Sequence, residues 1–170
     1  QLLMLNDFTG QSEALVGILD PFWESKGVVG PEEVRAWNAP TVALARFKKF
    51  VWTADEVFHA DLEVAHYGDT PLPAGTLRWE LNEAGGRTHA RGRLETLAIP
   101  VAGLRPLGPI TAPLASITRP TQLQLHVEVA GVENHWPIWV YPAAGTEPEP
   151  AGVLVTRTLD NAALQTLESG

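Results

Sequence analysis

The chain has 170 residues, enough for one domain with a hydrophobic core and shorter flanking segments. Its composition, with 45% hydrophobic and 19% charged residues, is that of an ordinary globular protein. The formal net charge of -8 argues against nucleic acid and anionic membranes as partners, because both bind basic surfaces. The absence of cysteine excludes disulfides and thiol chemistry. No run reaches the roughly 20 apolar residues that a membrane-spanning helix needs.

The first 40 residues predict short elements that alternate between strand and helix. Leu2–Leu5 is an apolar run suited to the end of a buried strand, and the apolar spacing in Glu13–Leu19 predicts a short helix. A second short helix is predicted to start at Gly30, because Pro31 fits a first helical turn. The chain begins in mid-pattern, so we interpret it as a piece of a longer polypeptide.

Two stretches with strict alternation predict the middle of a β-sandwich. Val57–Tyr67 and Thr121–Val129 each place apolar residues at every second position and polar residues between them. Side chains on a strand point to opposite faces in turn, so each stretch predicts a strand with one buried face, which is typical of antiparallel sheets. We expect the following side chains to share one core: Phe58, Leu62, Val64, Leu123, Leu125 and Val127.

Further short strands are predicted along the middle of the chain, at Thr41–Phe47, Phe50–Thr53, Thr76–Leu81, Thr88–Leu97 and His135–Tyr141. The prolines between residues 100 and 113 predict at most a short strand around Leu104–Ile110, and Pro137 predicts an edge position for the last strand. A turn is predicted at Gly131–Asn134. About seven strands predict a mainly β fold class, an immunoglobulin-like or fibronectin-like antiparallel β-sandwich with short N-terminal helices.

The C-terminal part predicts a linker and the start of another unit. Residues 143–151 are rich in proline and acidic side chains, as in a linker. Gly152–Thr156 predicts a strand, and Asp160–Glu168 predicts a helix with Gly170 at its C-terminal cap. We interpret residues 152–170 as the start of a further α/β domain.

Polar residues on the outer faces of the two alternating strands are candidates for a site. If the strands pair, His59, Asp61 and Glu63 lie near His126 and Glu128, and such a cluster can bind a metal ion. A solvated sheet face is the alternative that we favour, because mixed charges are common on exposed strands. Asp61 and Glu63 could also form the pair of acids that a glycoside hydrolase needs. They lie on a flat face, however, where nothing would raise the pKa of the acid. We therefore assign no metal site, no cofactor and no catalytic residue.

Six tryptophans leave two interpretations open. Exposed aromatic side chains bind sugars by stacking, which makes a carbohydrate-binding module a candidate. In the other interpretation, Trp79 and Trp136 fill the sandwich core and the others lie where domains meet. A coplanar exposed pair of tryptophans favours sugar binding, whereas aromatic residues buried near residues 1–55 favour a scaffolding role.

Short motifs near the N-terminus resemble a known enzyme family. Leu5–Gln11 reads Leu-Asn-Asp-Phe-Thr-Gly-Gln, Ala14–Gly17 reads Ala-Leu-Val-Gly and Phe22–Gly27 reads Phe-Trp-Glu-Ser-Lys-Gly. This succession resembles the end of the catalytic barrel in bacterial glycoside hydrolase family 2-like enzymes. Ala39–Val42 and Arg46–Phe50 are similar to that family's entry into the β-sandwich domain that follows the barrel.

The resemblance implies that residues 1–40 are the C-terminal stub of a catalytic barrel and residues 41–142 the following immunoglobulin-like sandwich. The full protein would be a periplasmic or extracellular β-glycosidase of the β-galactosidase or β-glucuronidase type. Its two catalytic glutamates would lie upstream of this chain. Asp7 and Gln11 match the loop after the last barrel strand, where contact with substrate is implied.

The function that we expect for this chain is therefore a non-catalytic accessory domain of a multidomain glycoside hydrolase, with the barrel of the same polypeptide as its partner. The alternative is a carbohydrate-binding module, with carbohydrate as the partner; an independent hydrolase is a weaker third hypothesis. Phe22, Trp23 and Trp37 are expected to pack on the sandwich. The remaining apolar residues, especially Leu2–Leu5, are expected to give weak self-association of the chain.

Overall fold

The computed structural model describes residues 4–8, 15–143 and 154–169. In chain order its elements are α1 (Pro31–Trp37), β1 (Thr41–Arg46), β2 (Val51–Thr53), β3 (Val57–His66), β4 (Gly75–Glu83), β5 (Thr88–Thr96), β6 (Gly103–Pro113), β7 (Thr121–Val129), β8 (Val132–Tyr141) and α2 (Asn161–Ser169). The predicted mainly β fold class is confirmed. Neither described helix is long and apolar enough to cross a membrane.

The strands form two sheets that enclose one core. The three-stranded sheet has the order β1-β3-β6, and the five-stranded sheet has the order β2-β8-β7-β4-β5. Neighbouring strands are antiparallel, except that β2 runs parallel to β8. The two strands predicted from strict alternation, β3 and β7, are the central strands of opposite sheets. They lie in the middle of the sandwich, as predicted, but they do not pair with each other.

The predicted core is confirmed residue by residue. The six side chains Phe58, Leu62, Val64, Leu123, Leu125 and Val127 are each at most 1% exposed. All six belong to one cluster, together with inward residues of β4, β6 and β8. Burial of each large side chain contributes about 1.5–3 kcal/mol, so the inner faces of β3 and β7 supply a large share of the hydrophobic stabilisation.

The proline-rich segment is a long strand, which corrects the prediction of a short strand at Leu104–Ile110. β6 spans 11 residues and pairs only with β3, so it is an edge strand whose outer side has no sheet neighbour. A proline lacks the N–H that a central strand needs, but an edge strand tolerates it where that position faces away from the partner. Gly108, at φ 127, lies where the β3–β6 register shifts between Leu62 and Glu63.

The connection from β7 to β8 is a two-residue turn. Ala130 and Gly131 have φ values of 51° and 78°, and Val129 pairs with Val132 across the turn. Positive φ at both central positions is the signature of a type I′ hairpin turn. The turn predicted at Gly131–Asn134 is therefore wrong in position, because the turn residues are Ala130 and Gly131 and Val132 already begins β8.

The predicted edge position of Pro137 needs a similar correction. β8 lies between β7 and β2 and is not an edge strand. However, β2 pairs only with Trp139–Tyr141, so Pro137 precedes the part of β8 that β2 covers. The proline thus lies where one side of an internal strand is locally open, and no ladder hydrogen bond is lost on that side.

The flanking segments differ from the predictions more than the sandwich does. Residues 15–19, the described part of the first predicted helix, form bends and an isolated bridge instead of a helix. Leu154–Thr156, the described part of the last predicted strand, have no strand structure. The C-terminal helix is present as α2, and Asp160 Oδ1 accepts a hydrogen bond from the Ala163 N–H at 2.9 Å. Gly170 lies outside the described residues.

Leu125→Ala tests the register of the core. Leu125 is fully buried on β7 between Leu81 of β4 and Trp136 of β8. Removal of its side chain is expected to lower the free energy of unfolding in urea by about 2–5 kcal/mol. The matched control is His126→Ala at the next, outward position, where a change of about 0.5 kcal/mol or less is expected. Equal losses for the two variants would contradict the register.

Ala130→Asn tests the turn between β7 and β8. An alanine at positive φ is strained, whereas asparagine tolerates this conformation and is favoured in type I′ turns. The variant is expected to raise the free energy of unfolding by about 0.5–1 kcal/mol in urea or thermal melts. Gly131→Ala at the next position is expected to lower it. A destabilised Ala130→Asn would show that the turn has another geometry.

Candidate functional site

Asp7 is the sequence-predicted site residue that the structure describes, and it is 4% exposed. Its Oδ1 accepts a hydrogen bond from the Gly17 N–H at 2.9 Å, and both carboxylate oxygens lie 3.1 Å from Lys26 Nζ. Lys26 also donates to the carbonyl oxygens of Leu15 and Gly17. We refer to Asp7, Gly17 and Lys26 as the latch. The substrate contact implied for Asp7 stays a prediction, and Gln11 lies outside the described residues.

Glycine is required at the centre of the latch. A Cβ at Gly17 would lie 2.3 Å from the carbonyl carbon of Asn6, so any other residue would push the two backbone segments apart. The segments are joined by hydrogen bonds from the Asp7 N–H to the Leu19 carbonyl and from the Leu19 N–H to the Leu5 carbonyl, both at 3.0 Å. The latch therefore closes a loop by close backbone approach together with an ion pair whose carboxylate is buried and whose ammonium group is partly exposed.

The latch supports a turn that exposes two large aromatic side chains. We define Asp20–Glu24 as the aromatic turn. Asp20 Oδ1 accepts hydrogen bonds from the N–H groups of Phe22 and Glu24, both at 2.8 Å, and Trp23 has a φ of 69°. Phe22 is 81% exposed and Trp23 is 62% exposed. The turn is held by its own hydrogen bonds, although its apolar side chains have little to pack against.

The predicted packing of Phe22, Trp23 and Trp37 on the sandwich is wrong, because all three side chains are exposed. The prediction assumed that apolar groups close in sequence to the sandwich would be covered by it. Instead, α1 places only a few residues near β1, and Asn134 of β8 donates to the carbonyl oxygens of Ala36 and Ala43 at 2.8 and 3.0 Å. The seam between α1, β1 and β8 is thus closed by polar contacts rather than by aromatic packing.

The other tryptophans divide between the core and the surface. Trp52 and Trp79 are buried, as predicted for Trp79, and Trp136 is partly buried against the core. Trp79 lies over Gly92 of β5, where an added Cβ would come 2.6 Å from the indole Nε1. Trp139 remains exposed on β8. No ring contact between two tryptophans is found in the described part of the chain, so the coplanar pair that favours sugar binding is not present there.

The polar rows on β3 and β7 do not form the cluster considered from the sequence. The two strands lie in opposite sheets, so His59, Asp61 and Glu63 face away from His126 and Glu128 across the full thickness of the sandwich. Glu63 forms an ion pair with Arg46 of β1 instead. Among residues 4–8, 15–143 and 154–169, no three His, Asp or Glu side chains form a group suited to hold a metal ion.

A polar cluster that the sequence analysis missed joins the β4–β5 hairpin to the loop after β6. His89 Nε2 donates to Glu83 Oε1 at 2.7 Å, and the imidazole is almost fully buried. The exposed Ser116 hydroxyl lies 3.5 Å from His89 Nδ1, and the Arg119 guanidinium lies 3.9 Å from Glu83 Oε2. Glu83 and His89 flank the Gly-Gly turn, and hairpin pairing brings residues at this spacing together. That spacing is the signal that sequence reasoning could have used.

The cluster has the components of a serine–histidine–carboxylate relay, but its geometry favours a structural role. The hydroxyl and the imidazole are separated by a distance at the limit of hydrogen bonding, whereas the carboxylate and the imidazole are tightly bonded. The hydrogen bond from His89 holds the pKa of Glu83 below its usual value, and the nearby positive charges act in the same direction. The cluster therefore fixes the hairpin and the β6–β7 loop to each other.

A second carboxylate orders the turn between β2 and β3. Glu56 accepts hydrogen bonds from Lys49 Nζ at 2.6 Å and from the Thr53 N–H at 2.9 Å. The bond from Lys49 is the main reason that the pKa of Glu56 is lowered. The same ammonium group lies 4.9 Å from the centre of the Trp52 ring, in a cation–π contact. These contacts fix the start of β3, the central strand of its sheet.

The sequence matches a family described as "Domain of unknown function (DUF8488)" over residues 56–142. The chain belongs to this family. The DUF8488 region includes β3 to β8 and begins at Glu56, the residue that orders the turn into β3. β1, β2 and the latch lie before it. No curated protein matches the chain.

Two solved structures are similar to the chain at low sequence identity. The β-glucosidase from Listeria innocua in complex with gluconolactone has a TM-score of 0.44 and 8% identity, over 59% of this chain and 16% of that chain. The sporulation control protein Spo0M from Bacillus subtilis has a TM-score of 0.43 and 11% identity, over 62% of this chain and 50% of that chain. The chain thus spans half or less of either protein. These similarities are too low to carry a functional argument.

Glu83→Gln tests the polar cluster through the pH dependence of stability. The pKa of Glu83 is lowered on folding, so its ionised form stabilises the fold at pH values above its usual pKa of 4.5. This contribution is lost as the pH falls through the pKa of the folded state. The wild type is expected to be more stable than the variant at pH 6, and the difference is expected to shrink as the pH falls below 4.5. Urea melts of both proteins at a series of pH values from 6 to below 4.5 measure this difference in the free energy of unfolding.

The control for this experiment is Glu133→Gln, which removes an exposed carboxylate from β8 without touching the cluster. Its difference from the wild type is expected to show a smaller dependence on pH. A wild type that exceeds Glu83→Gln by the same amount at every pH would show that the bond from His89 does not stabilise the ionised carboxylate.

Proposed function

We propose that this chain is a non-catalytic accessory β-sandwich domain of a multidomain glycoside hydrolase. Its work is to pack against the catalytic barrel of the same polypeptide and to hold the neighbouring domains in place. The β-sandwich itself supports the accessory role, and the motifs that resemble the end of a family 2-like barrel supply the enzyme class. In this proposal, the full-length enzyme hydrolyses β-glycosidic bonds outside the cytoplasm.

The observation that carries the proposal is the exposed but internally bonded aromatic turn. Large exposed aromatic groups are costly in water, and contiguous apolar surface usually marks an interaction site. Each aromatic side chain can bury about 150–250 Å² against a partner. Because Asp20 and the latch already hold the backbone, docking of Phe22 and Trp23 would cost little additional ordering.

The proposed domain boundaries follow from the same interpretation. Residues 1–40 would complete the barrel, and the latch would then fold the chain that leaves the last barrel strand. Residues 41–142 form the sandwich, which contains β1 to β8. Residues 143–151 would be the linker to a further domain that starts within residues 152–170. Substrate contacts by Asp7 and Gln11, on the barrel side, belong to this proposal too.

The proposed docking of the aromatic turn is tested in the native polypeptide. Phe22→Ser combined with Trp23→Ser is expected to lower the midpoint of thermal unfolding of the barrel and to speed trypsin cleavage between barrel and sandwich. The 170-residue chain alone should keep its unfolding midpoint, because both side chains are exposed in it. The matched control is Leu97→Ser, which removes a side chain 87% exposed far along the chain.

Two results would overturn the proposal. One is the finding that the native polypeptide has no catalytic barrel leading into this chain. The other is turnover of aryl β-galactoside or β-glucuronide by the 170-residue chain alone, since no acid and nucleophile pair is assigned in it. Sedimentation of the isolated chain measures the expected weak self-association, which the exposed Leu5, Phe22 and Trp23 favour.

A further inference from the structure

The outer face of the five-stranded sheet has a pattern that the proposed docking role does not use. On β7 the outward side chains are Gln122, Gln124, His126 and Glu128; on β8 they are Glu133, His135, Pro137, Trp139 and Tyr141. The two rows are in register, with Trp139 opposite Gln122 and Pro137 opposite Gln124. The arrangement of neighbours on this face is therefore fixed by the backbone ladder.

The face divides into a charged half and a neutral half. In the charged half, Arg78 lies 3.6 Å from Glu128, and the rings of His126 and His135 are 5.6 Å apart. The neutral half contains no charged outward residue on β7 or β8. We define the neutral patch as Val51, Gln122, Gln124, Pro137, Trp139 and Tyr141.

The neutral patch combines aromatic surface with amide groups. Trp139 is 37% exposed and Tyr141 is 46% exposed, and their Cα atoms are about 7 Å apart because the two residues are two positions apart on one strand. Gln122 lies directly across from Trp139 on β7, and Val51 lies beside Trp139 on the other side, on β2. An indole ring flanked by an amide on one side and an apolar group on the other offers stacking and hydrogen bonding together.

The size of the neutral patch suits a small ligand, whereas a protein partner would have to contact surface well beyond the patch. It spans three strands, about 10 Å across, and a few residues along them, which gives on the order of 150 Å². A stable protein interface needs about 800 Å² from each partner. A ligand that fits the patch is therefore small in cross-section and lies on a flat, open surface.

The chemistry of the neutral patch selects the class of ligand. Without charge, the patch has nothing to offer a phosphate or a carboxylate. Glutamine amides both donate and accept hydrogen bonds, which suits hydroxyl groups. The exposed indole suits an apolar C–H face. A sugar ring presents hydroxyl groups at its rim and C–H groups on its faces, and it carries no charge.

We propose that the neutral patch binds an uncharged saccharide chain, with one sugar ring on Trp139 and hydrogen bonds to Gln122 and Gln124. The site is shallow and lies on the sheet face, so the expected dissociation constant is on the order of 1 mM. The chain of sugars would run across β2, β8 and β7. This inference is independent of the docking role proposed for the aromatic turn.

Chemical-shift titration of the ¹⁵N-labelled 170-residue chain tests the saccharide proposal. The probes are cellopentaose, β-1,4-linked galactopentaose and maltopentaose, each added to about 10 mM. At least one is expected to shift the Trp139 indole N–H and the backbone amides of Gln122, Gln124 and Val51. Glucuronic acid, a charged monosaccharide, is expected to shift these signals less.

Variants separate stacking from general surface effects. Trp139→Ala and Gln122→Ala are each expected to weaken binding about tenfold, and Trp139→Phe to retain part of it. Trp37→Ala is the matched control, because it removes an exposed tryptophan on α1 and should leave binding unchanged. Urea melts check that each variant is folded. If Trp139→Ala does not fold, Gln122→Ala still tests the proposal.

Three results would overturn the inference. The first is the absence of shifts with all three oligosaccharides. The second is binding that Trp139→Ala and Gln122→Ala leave unchanged. The third is a dimer, seen by sedimentation without sugar, that Trp139→Ala dissociates, since the neutral patch would then be a protein interface. None of these results depends on whether the aromatic turn docks on a barrel, so the two proposals fail separately.

Discussion

The inner faces of β3 and β7 share one hydrophobic core. β3 is the middle strand of one sheet and β7 is the middle strand of the other, and the remaining strands pair within these two sheets. Because both strands have one apolar and one polar face, a one-residue slip would move every buried side chain into water. This constraint fixes the register of the neighbouring strands. The positions of the outward side chains, including those of the neutral patch, follow from that register.

Polar contacts close the sandwich where apolar packing ends. Asn134 joins β8 to β1 and to the end of α1, Glu56 orders the turn into β3, and the bond between Glu83 and His89 holds the β4–β5 hairpin. Each of these groups bonds the backbone or a side chain of a second segment. A polar group that loses contact with water needs a hydrogen-bond partner in the protein, so these contacts help to hold the loops against the strands.

The sequence predicted those parts of the fold that depend on local alternation. Leu62 and Leu125 could be placed in the core because each belongs to a strand with a period of two. The same pattern does not tell which strands pair, because every half-buried strand has an inner face. For that reason the sequence allows a pairing of β3 with β7 that would bring His59 near His126, although the two strands lie in opposite sheets.

Other features could not be read from local pattern at all. The prolines of β6 obstruct a central strand but not an edge strand, and edge position is a property of the finished sheet. The latch joins Asp7 to Lys26 across 19 positions of irregular chain, where no periodicity relates the two residues. The exposure of Phe22 and Trp23 depends equally on which surfaces lie near the aromatic turn. Apolar character and closeness in sequence to the sandwich predicted burial for both, which the structure contradicts.

The two exposed aromatic surfaces differ in the groups that surround them, and this difference separates their proposed partners. In the aromatic turn, Phe22 and Trp23 stand on a loop whose polar atoms are bonded to one another: Asp20 Oδ1 accepts from two backbone N–H groups. Such a surface offers a partner mainly apolar area, which suits a protein. In the neutral patch, Trp139 lies on a rigid strand beside glutamine side chains that project from the sheet. Amide groups in that position are available to hydroxyl groups, and they would be left without partners beneath an apolar protein surface. The aromatic turn and the neutral patch can therefore bind different partners on the same chain without competing for one ligand.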